Sequence, residues 1–198
     1  MPVKLLGVSG SLRESAYTLR LVQIALEAAR IAGAEVELLD LRDHPLPMYE
    51  AHEDYDEHQV VKRVIRKVEE ADGYIVGSPE YHGCMTGATK NFFDFLYREI
   101  CGKLFGLVSA TGGSQGNGCF DNMRAAIQYC HGWALPYNVA ATGRDFDAQG
   151  NLTNEKVQDR LQRMGRDMTI YAPLLFGRFN ADLSEKSPAQ PGFAHWMA

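Results

Sequence analysis

Three short segments gather the residues able to do chemistry. The first, Ser9-Gly10-Ser11-Leu12-Arg13-Glu14-Ser15-Ala16-Tyr17-Thr18, sets hydroxyls at 9, 11, 15 and 18 around one glycine and one guanidinium. Ahead of a helix, such a loop turns backbone N–H groups and the positive end of the helix dipole toward a guest, and Arg13 adds a fork shaped for phosphate. A dianionic phosphate monoester suits it; a plain helix cap beside a solvated arginine is the bland alternative. The second segment, Ser78-Pro79-Glu80-Tyr81-His82-Gly83-Cys84-Met85-Thr86-Gly87, leads into Lys90-Asn91-Phe92-Phe93-Asp94. Pro79 stiffens the chain, Gly83 and Gly87 let backbone approach a flat ligand closely, and Tyr81 and His82 are able to wall a planar ring. The third, residues 111–118, holds Gly112, Gly113, Gly116 and Gly118 after Thr111. It reads either as a surface of N–H donors for the polar edge of a ring or as a simple βα turn.

Other chemistries fit these residues less well. The first loop lacks both the Gly-Lys-Ser/Thr ending of a Walker loop and the G-x-G-x-x-G dinucleotide fingerprint. Gly7-Val8-Ser9-Gly10-Ser11 approaches a G-x-S-x-G nucleophile elbow but has Ser11 where the last glycine belongs, so a Ser9 hydrolase ranks low. His82 has no partner at ligand spacing, and no metal is expected. Cys84, Cys101, Cys119 and Cys130 form no C-x-x-C pair and read as buried or semi-buried thiols.

The elements that must position these segments alternate strand and helix. Strands are expected at residues 3–8, 35–40, 73–77, 104–108 and near 137–141. Helices are expected at residues 18–32, over Val61, Val64, Ile65 and Val68 on one apolar face, over Phe92, Phe93 and Leu96, up to about residue 130, and from Val157, Leu161, Met164 and Met168 to about residue 172. Residues 44–58, with two prolines and many acids, read as loop. Strands separated by helices of this length imply a parallel sheet covered on both faces. Right-handed crossovers narrow it to doubly wound α/β sheets of three layers, among which the five-stranded order 2-1-3-4-5 of the flavodoxin-like fold is common and is the one expected here. Such sheets bind ligands at the carboxyl ends of their strands, where the order reverses, and all three segments fall there.

The chain has 198 residues, 45% hydrophobic and 23% charged, which is ordinary for one domain with a full core. That domain is expected over residues 1–178, with 179–198 as a tail that is either disordered or docked on a neighbour through Phe193 and Trp196. A net charge of −5 argues against nucleic acid and anionic membranes as partners. Met1-Pro2-Val3-Lys4 leads into a strand-like run rather than a signal-peptide pattern, and a cytoplasmic location is expected.

Two motifs carry a family resemblance. Gly10-Ser11-Leu12-Arg13 followed by Thr18 resembles the phosphate loop G-S-x-R-x-x-S-x-N/T of the NADPH-dependent FMN reductase family, and Pro79-Glu80-Tyr81-His82-Gly83, Gly87 and Lys90-Asn91 resemble its P-E-Y-N-G…G-x-x-K-N-x-x-D segment. The likeness spans roughly residues 3–142. It implies that Ser11, Arg13 and Thr18 hold the phosphate of FMN, that Pro79, Glu80, Tyr81, His82 and Gly83 line the isoalloxazine, and that Thr111, Gly112 and Gly113 meet its pyrimidine edge. It also implies NADPH or NADH as co-substrate, a small-molecule electron acceptor in a ping-pong cycle, no catalytic side chain, and a homodimer or homotetramer. Phe92, Phe93, Tyr97 and Trp133 are interface candidates, with core packing the commoner role for such residues. An electron carrier that binds FMN without NAD(P)H turnover is the alternative, though such carriers are usually more acidic. This chain departs from the motifs at Ala16, where the family has serine, and at His82, where it has asparagine.

Overall fold

The apolar runs between the glycine-marked loops pair edge to edge, and the amphipathic segments cover them. The computed structural model describes residues 1–113 and 115–184. The order is β1 (Lys4–Ser9), α1 (Tyr17–Ile31), β2 (Glu35–Asp40), α2 (Gln59–Glu70), β3 (Gly73–Pro79), α3 (Gly87–Asp94), β4 (Leu104–Thr111), α4 (Asn117–Tyr129), β5 (Trp133–Ala134), β6 (Val139–Thr142) and α5 (Glu155–Ser184). All pairings are parallel, in the order β2-β1-β3-β4-β5, with β6 also beside β4. The expected 2-1-3-4-5 order is therefore present.

The fifth strand differs from the expected span of 137–141. It is split into β5 and β6, which pair with the two halves of β4, and the register advances by two residues between Leu104↔Trp133 and Val108↔Val139. Leu135 still donates its N–H to Phe105 (2.9 Å), but Pro136 has no N–H to continue the ladder. Chain is therefore looped out between the two pieces.

Each face of the sheet carries its own core. Leu21, Val22, Ala25 and Ala29 of α1 and Leu161, Met164 and Met168 of α5 pack on Leu5, Ile75 and Val108. On the other face, Val64 and Val68 of α2, Phe92 and Phe93 of α3, and Phe120, Met123 and Ile127 of α4 pack on Leu6, Val8, Val76 and Leu107. Two of the interface candidates, Phe92 and Phe93, are thus core residues, whereas Tyr97 and Trp133 are exposed.

The last helix also departs from expectation. It passes Pro173 and runs to Ser184 rather than stopping near 172, so a domain boundary after 178 would cut through it. Burial holds its far end: Phe179 is 5% exposed and packs with Cys101 and Phe176. Phe193 and Trp196 lie outside the described residues. Beneath this end, the buried Lys103 donates to the carbonyls of Val68 (3.0 Å) and Glu69 (3.1 Å) and to the Tyr74 hydroxyl (3.1 Å), finishing the open end of α2.

Burial pushes the Lys103 ammonium down to about 8, against the opposite pull of Asp72, Glu69 and Glu99. The folded state then favours the neutral amine relative to the unfolded chain. The group's opposition to folding is complete below pH 8 and fades toward the ordinary value of 10.5. The stability of wild type relative to Lys103→Met should accordingly rise across that window, on the order of 1–3 kcal/mol by urea unfolding.

A second prediction concerns the crossing of α1 and α5. A methyl at Gly165 would sit 2.3 Å from the Ala25 carbonyl oxygen and 2.6 Å from the Ala29 nitrogen, whereas nothing lies within 4 Å of one at Gly177 of the same helix. Gly165→Ala should destabilise by roughly 1–3 kcal/mol and Gly177→Ala should stabilise by roughly 0.5–1 kcal/mol in the same assay.

Candidate functional site

The carboxyl ends of β1, β3 and β4 lie side by side, with Ser9 opposite Gly77 and Pro79 opposite Ala110, so the three chemically loaded loops leave one edge together. Gly10 donates its N–H to the Gly77 carbonyl (2.8 Å) and is the last residue of its loop tied to the sheet. Beyond it, Arg13 N–H goes to the Ser11 hydroxyl (3.3 Å), and the N–H groups of Ser11, Leu12, Glu14, Ser15 and Ala16 meet no acceptor among the described residues. Ser15 is left-handed (φ 54°), a conformation that helps successive N–H groups face one concavity. Ala16, at the N-cap of α1, supplies no side-chain cap, which leaves the first-turn N–H groups open as well. Uncapped donors at the positive end of a helix make an anion site. Ser11 and Thr18 are buried beside it, and the Arg13 side chain is exposed.

At the second loop, Pro79 is the buried last residue of β3, and Glu80 N–H donates to the Ala110 carbonyl (3.0 Å). Tyr81 and Cys84 then exchange both backbone hydrogen bonds (3.0 Å each), with His82 (φ 53°) and Gly83 (φ 75°) at the corner. Positive φ at both central residues marks a type I′ hairpin turn, whose preferred sequence is Asn-Gly. This explains the exchange at position 82: His, like Asn, is among the side chains that enter the left-handed region more readily than most. Tyr81, His82 and Gly83 are all exposed. Across from this turn, Thr111 is buried at the end of β4, Gly112 and Gly113 are exposed, and Gly116 (φ 73°) opens α4 in a left-handed conformation.

A buried hydroxyl cluster that sequence reading missed joins the loops. Ser78 Oγ accepts from Thr86 N–H (2.9 Å) and lies 3.0 Å from Thr89 Oγ1, while donating to the Pro79 carbonyl (3.0 Å). Thr86 Oγ1 donates to the Gly10 carbonyl (2.8 Å) and accepts from Thr89 N–H (3.2 Å), which caps α3. Ser109 Oγ donates to the Ser78 carbonyl (2.8 Å). Gly10 admits this cluster, since a Cβ there would fall 1.8 Å from Thr89 Oγ1. Behind it, burial pushes the Cys119 thiol up, so the group serves as neutral filling.

Two further pieces were also missed. Asn91 of the Lys90-Asn91 pair accepts from Tyr49 N–H (2.8 Å) and donates to the Pro47 carbonyl (2.8 Å), clamping loop 44–58, while Lys90 pairs with Asp94. Phe146, after β6, stacks on Tyr17 at the start of α1 (4.2 Å between ring centroids). The Asn91 and Phe146 contacts join residues 42 to 129 positions apart, and no local signal announces them.

Ser9, the residue of the near-elbow motif, is 0% exposed, and its Oγ has no hydrogen-bond partner. No general base reaches it, and the hydrolase reading ends there. Among the described residues, no group of three or more His, Cys, Asp or Glu side chains is arranged to hold a metal, and no helix is long and apolar enough to cross a membrane.

The turn geometry can be tested directly. His82→Asn should leave stability within about 0.5 kcal/mol of wild type, whereas His82→Val, β-branched at a positive φ, should lose roughly 1–3 kcal/mol by urea unfolding.

Comparison with known proteins matches this arrangement. The family model described as NADPH-dependent FMN reductase covers residues 3–147. An NAD(P)H-dependent FAD/FMN reductase of Geobacillus thermodenitrificans is 28% identical over 165 residues, spanning 82% of this chain and 89% of the relative. An NADPH azoreductase of Bacillus sp. is 34% identical over 142 residues, 69% of this chain and 79% of the relative. In fold, the chain resembles FerB, a flavoenzyme NAD(P)H:(acceptor) oxidoreductase from Paracoccus denitrificans, with a TM-score of 0.73 at 19% identity over 87% of this chain and 98% of that one. With a family model matching most of its length, and the three candidate loops gathered at one sheet edge, the chain belongs to the NADPH-dependent FMN reductase family.

Proposed function

We propose that this protein is an FMN-dependent NAD(P)H oxidoreductase that delivers electrons to a small acceptor such as free flavin, a quinone or an azo compound. One observation carries the reading: an uncapped helix N-terminus with a run of free N–H groups shares a sheet edge with an exposed type I′ turn and a glycine-rich loop. The first suits a phosphate, and the other two suit the face and the polar edge of a flavin ring. When bound, FMN supplies the chemistry at its N5, accepting a hydride from NADPH or NADH and passing the electrons on in a ping-pong cycle.

The chain's own part is to bind and orient. Ser11, Arg13 and Thr18, with the open N–H groups between them, hold the phosphate. Pro79, Glu80, Tyr81, His82 and Gly83 line the ring, and Thr111, Gly112 and Gly113 present backbone to its pyrimidine edge. No side chain has to act as acid or base, because orientation and distance are what the protein contributes to hydride transfer. The exposed ring-facing turn leaves room for a nicotinamide and then for an acceptor.

Beside that turn, a groove of about 860 Å³ between α3 and α4 is lined by Met85, Phe93, Leu96, Tyr97 and Tyr129. Tyr97 and Tyr129 are 50% and 78% exposed, which supports a homodimer or homotetramer in which a second copy covers this groove. The four cysteines are all free thiols, in keeping with a cytoplasmic location.

The purified protein, supplied with FMN if colourless, should show a flavin absorption spectrum that bleaches within the mixing time of anaerobic NADPH or NADH. Arg13→Ala should weaken FMN binding roughly 10- to 100-fold. Light scattering at micromolar concentration should give a dimer or tetramer. Bound flavin that ignores both nicotinamides would replace the reductase by an electron carrier, and no flavin binding would overturn the reading.

A further inference from the structure

We propose that a groove of about 350 Å³ between the loop after β1, residues 41–48 and the start of α3 seats the apolar part of a neutral, quinone-class electron acceptor at the margin of the flavin site. The inference rests on the oxidoreductase reading above and deepens it by naming the acceptor and where it is held.

Two of the candidate loops border the groove. Leu12, between Ser11 and Arg13, forms one wall, and Gly87 and Ala88, just beyond the hairpin turn, form another. The third wall is Pro45, Leu46 and Met48, and Leu41 is buried beneath. Leu12 and Met48 are 61% and 76% exposed, so two large apolar side chains stand in solvent on one concavity. Single exposed apolar residues are ordinary, whereas a concave group of them beside a cofactor site marks a place for an apolar ligand. A Cβ at Gly87 would meet nothing within 4 Å, and residue 87 lies in a regular helix. Neither conformation nor packing thus calls for glycine, and bare backbone there keeps the groove open to a flat guest.

The groove is built before anything enters it. Asn91 fastens its outer wall to α3 through the Pro47 carbonyl and the Tyr49 N–H (2.8 Å each), and the Tyr49 ring meets the edge of Phe95 at 5.2 Å between centroids. Its charge selects the ligand. The Arg42 guanidinium lies 3.1 Å from Asp43 and 3.8 Å from Asp40, so two carboxylates already offset the one guanidinium in the lining. A phosphate-bearing nucleotide finds no free positive charge on that side chain. His44 turns Nδ1 to the Asp40 carbonyl (3.0 Å), which requires a proton on that nitrogen and leaves Nε2 for an oxygen of the ligand. The volume is near the small end of ligand pockets, which run from roughly 300 to 1,000 Å³. It holds one or two fused rings and is too small for a dinucleotide.

The test uses 2-methyl-1,4-naphthoquinone, with ferricyanide as an acceptor that takes electrons without an apolar seat. The quinone is titrated into wild type without added flavin while the Met48 methyl signal is followed by NMR, Met48→Lys serving to assign it. The signal should move saturably, and Ala88→Leu, which fills the groove from α3, should weaken the titration about 10-fold. In turnover of the FMN-loaded enzyme with NADPH, Ala88→Leu and Met48→Lys should each raise the KM for the quinone about 10-fold and leave the ferricyanide kinetics within about twofold. Met48→Lys changes a solvent-facing side chain, so it keeps the comparison if Ala88→Leu packs poorly.

An unchanged quinone KM in both variants would overturn the proposal, as would equal rises for quinone and ferricyanide, which would mark a distorted flavin site. A Met48 signal that ignores the quinone would overturn it too, as when a second copy covers the groove. A signal that moves with NADPH and not with the quinone would give the groove to the nucleotide instead. Wild type that binds no flavin and reduces neither acceptor would remove the oxidoreductase reading, whereas a saturable Met48 shift would still assign the groove to the quinone.

Discussion

The close approach of Gly10 to the first turn of α3 is the contact on which the site depends. It brings the end of β1 within hydrogen-bonding reach of Thr86, whose hydroxyl donates to the Gly10 carbonyl, and Thr86 is in turn tied to Ser78 at the end of β3. Each member of the cluster has one proton to give. Ser78 gives its proton to the Pro79 carbonyl, Thr86 to Gly10, and Ser109 to the Ser78 carbonyl, which links in β4. Thr89, within 3.0 Å of Ser78 Oγ and 2.8 Å of Thr86 Oγ1, closes the set. In a buried setting, a fully paired network of this kind holds its geometry, because breaking one bond strands a polar group away from water. The relative positions of the three loops are thus set below the site, leaving the exposed atoms above for ligands.

The two ends of the site differ in how they are built. At the start of α1, Ser9, Ser11 and Thr18 are buried and Phe146 stacks on Tyr17, so the helix start is braced from the sheet and from the loop after β6. That loop is held by Asp145, whose carboxyl is pulled below the ordinary range chiefly by the Thr142 N–H (2.7 Å) and further by the Asn154 amide (2.7 Å). At the end of β3, the turn over His82 and Gly83 stands in solvent on two backbone hydrogen bonds. A buttressed end and an open end suit a cofactor held at one side and reactants admitted at the other, which is what the proposed oxidoreductase calls for.

Much of this was legible in residue order. The strand–helix alternation implied a parallel sheet, and loop 9–18 and the Pro79–Gly83 segment stand out as candidates because each relies on local chemistry: hydroxyls before a helix, and a proline and glycines around a turn. The split of the fifth strand traces to one residue, Pro136, which has no N–H to continue the ladder. The extension of α5 beyond Pro173 is of another kind. Proline removes one donor and normally ends a helix, yet burial of Phe176 and Phe179 against Cys101 carries it on.

Periodicity and turn chemistry act over a few residues, so the sequence by itself determined the element types, the order of the sheet and which loops are candidates to carry the chemistry. Only the tertiary structure decided how those loops are joined. The bond from Thr86 to Gly10 spans 76 positions and that from Ser109 to Ser78 spans 31. Hydroxyl side chains have no periodic signature that would reveal such partners in advance. For the same reason Ser9 reads in the sequence as half of an incomplete nucleophile motif, whereas in the fold it is a buried donor without an acceptor. What a serine does depends on what surrounds its oxygen, and that is a property of packing.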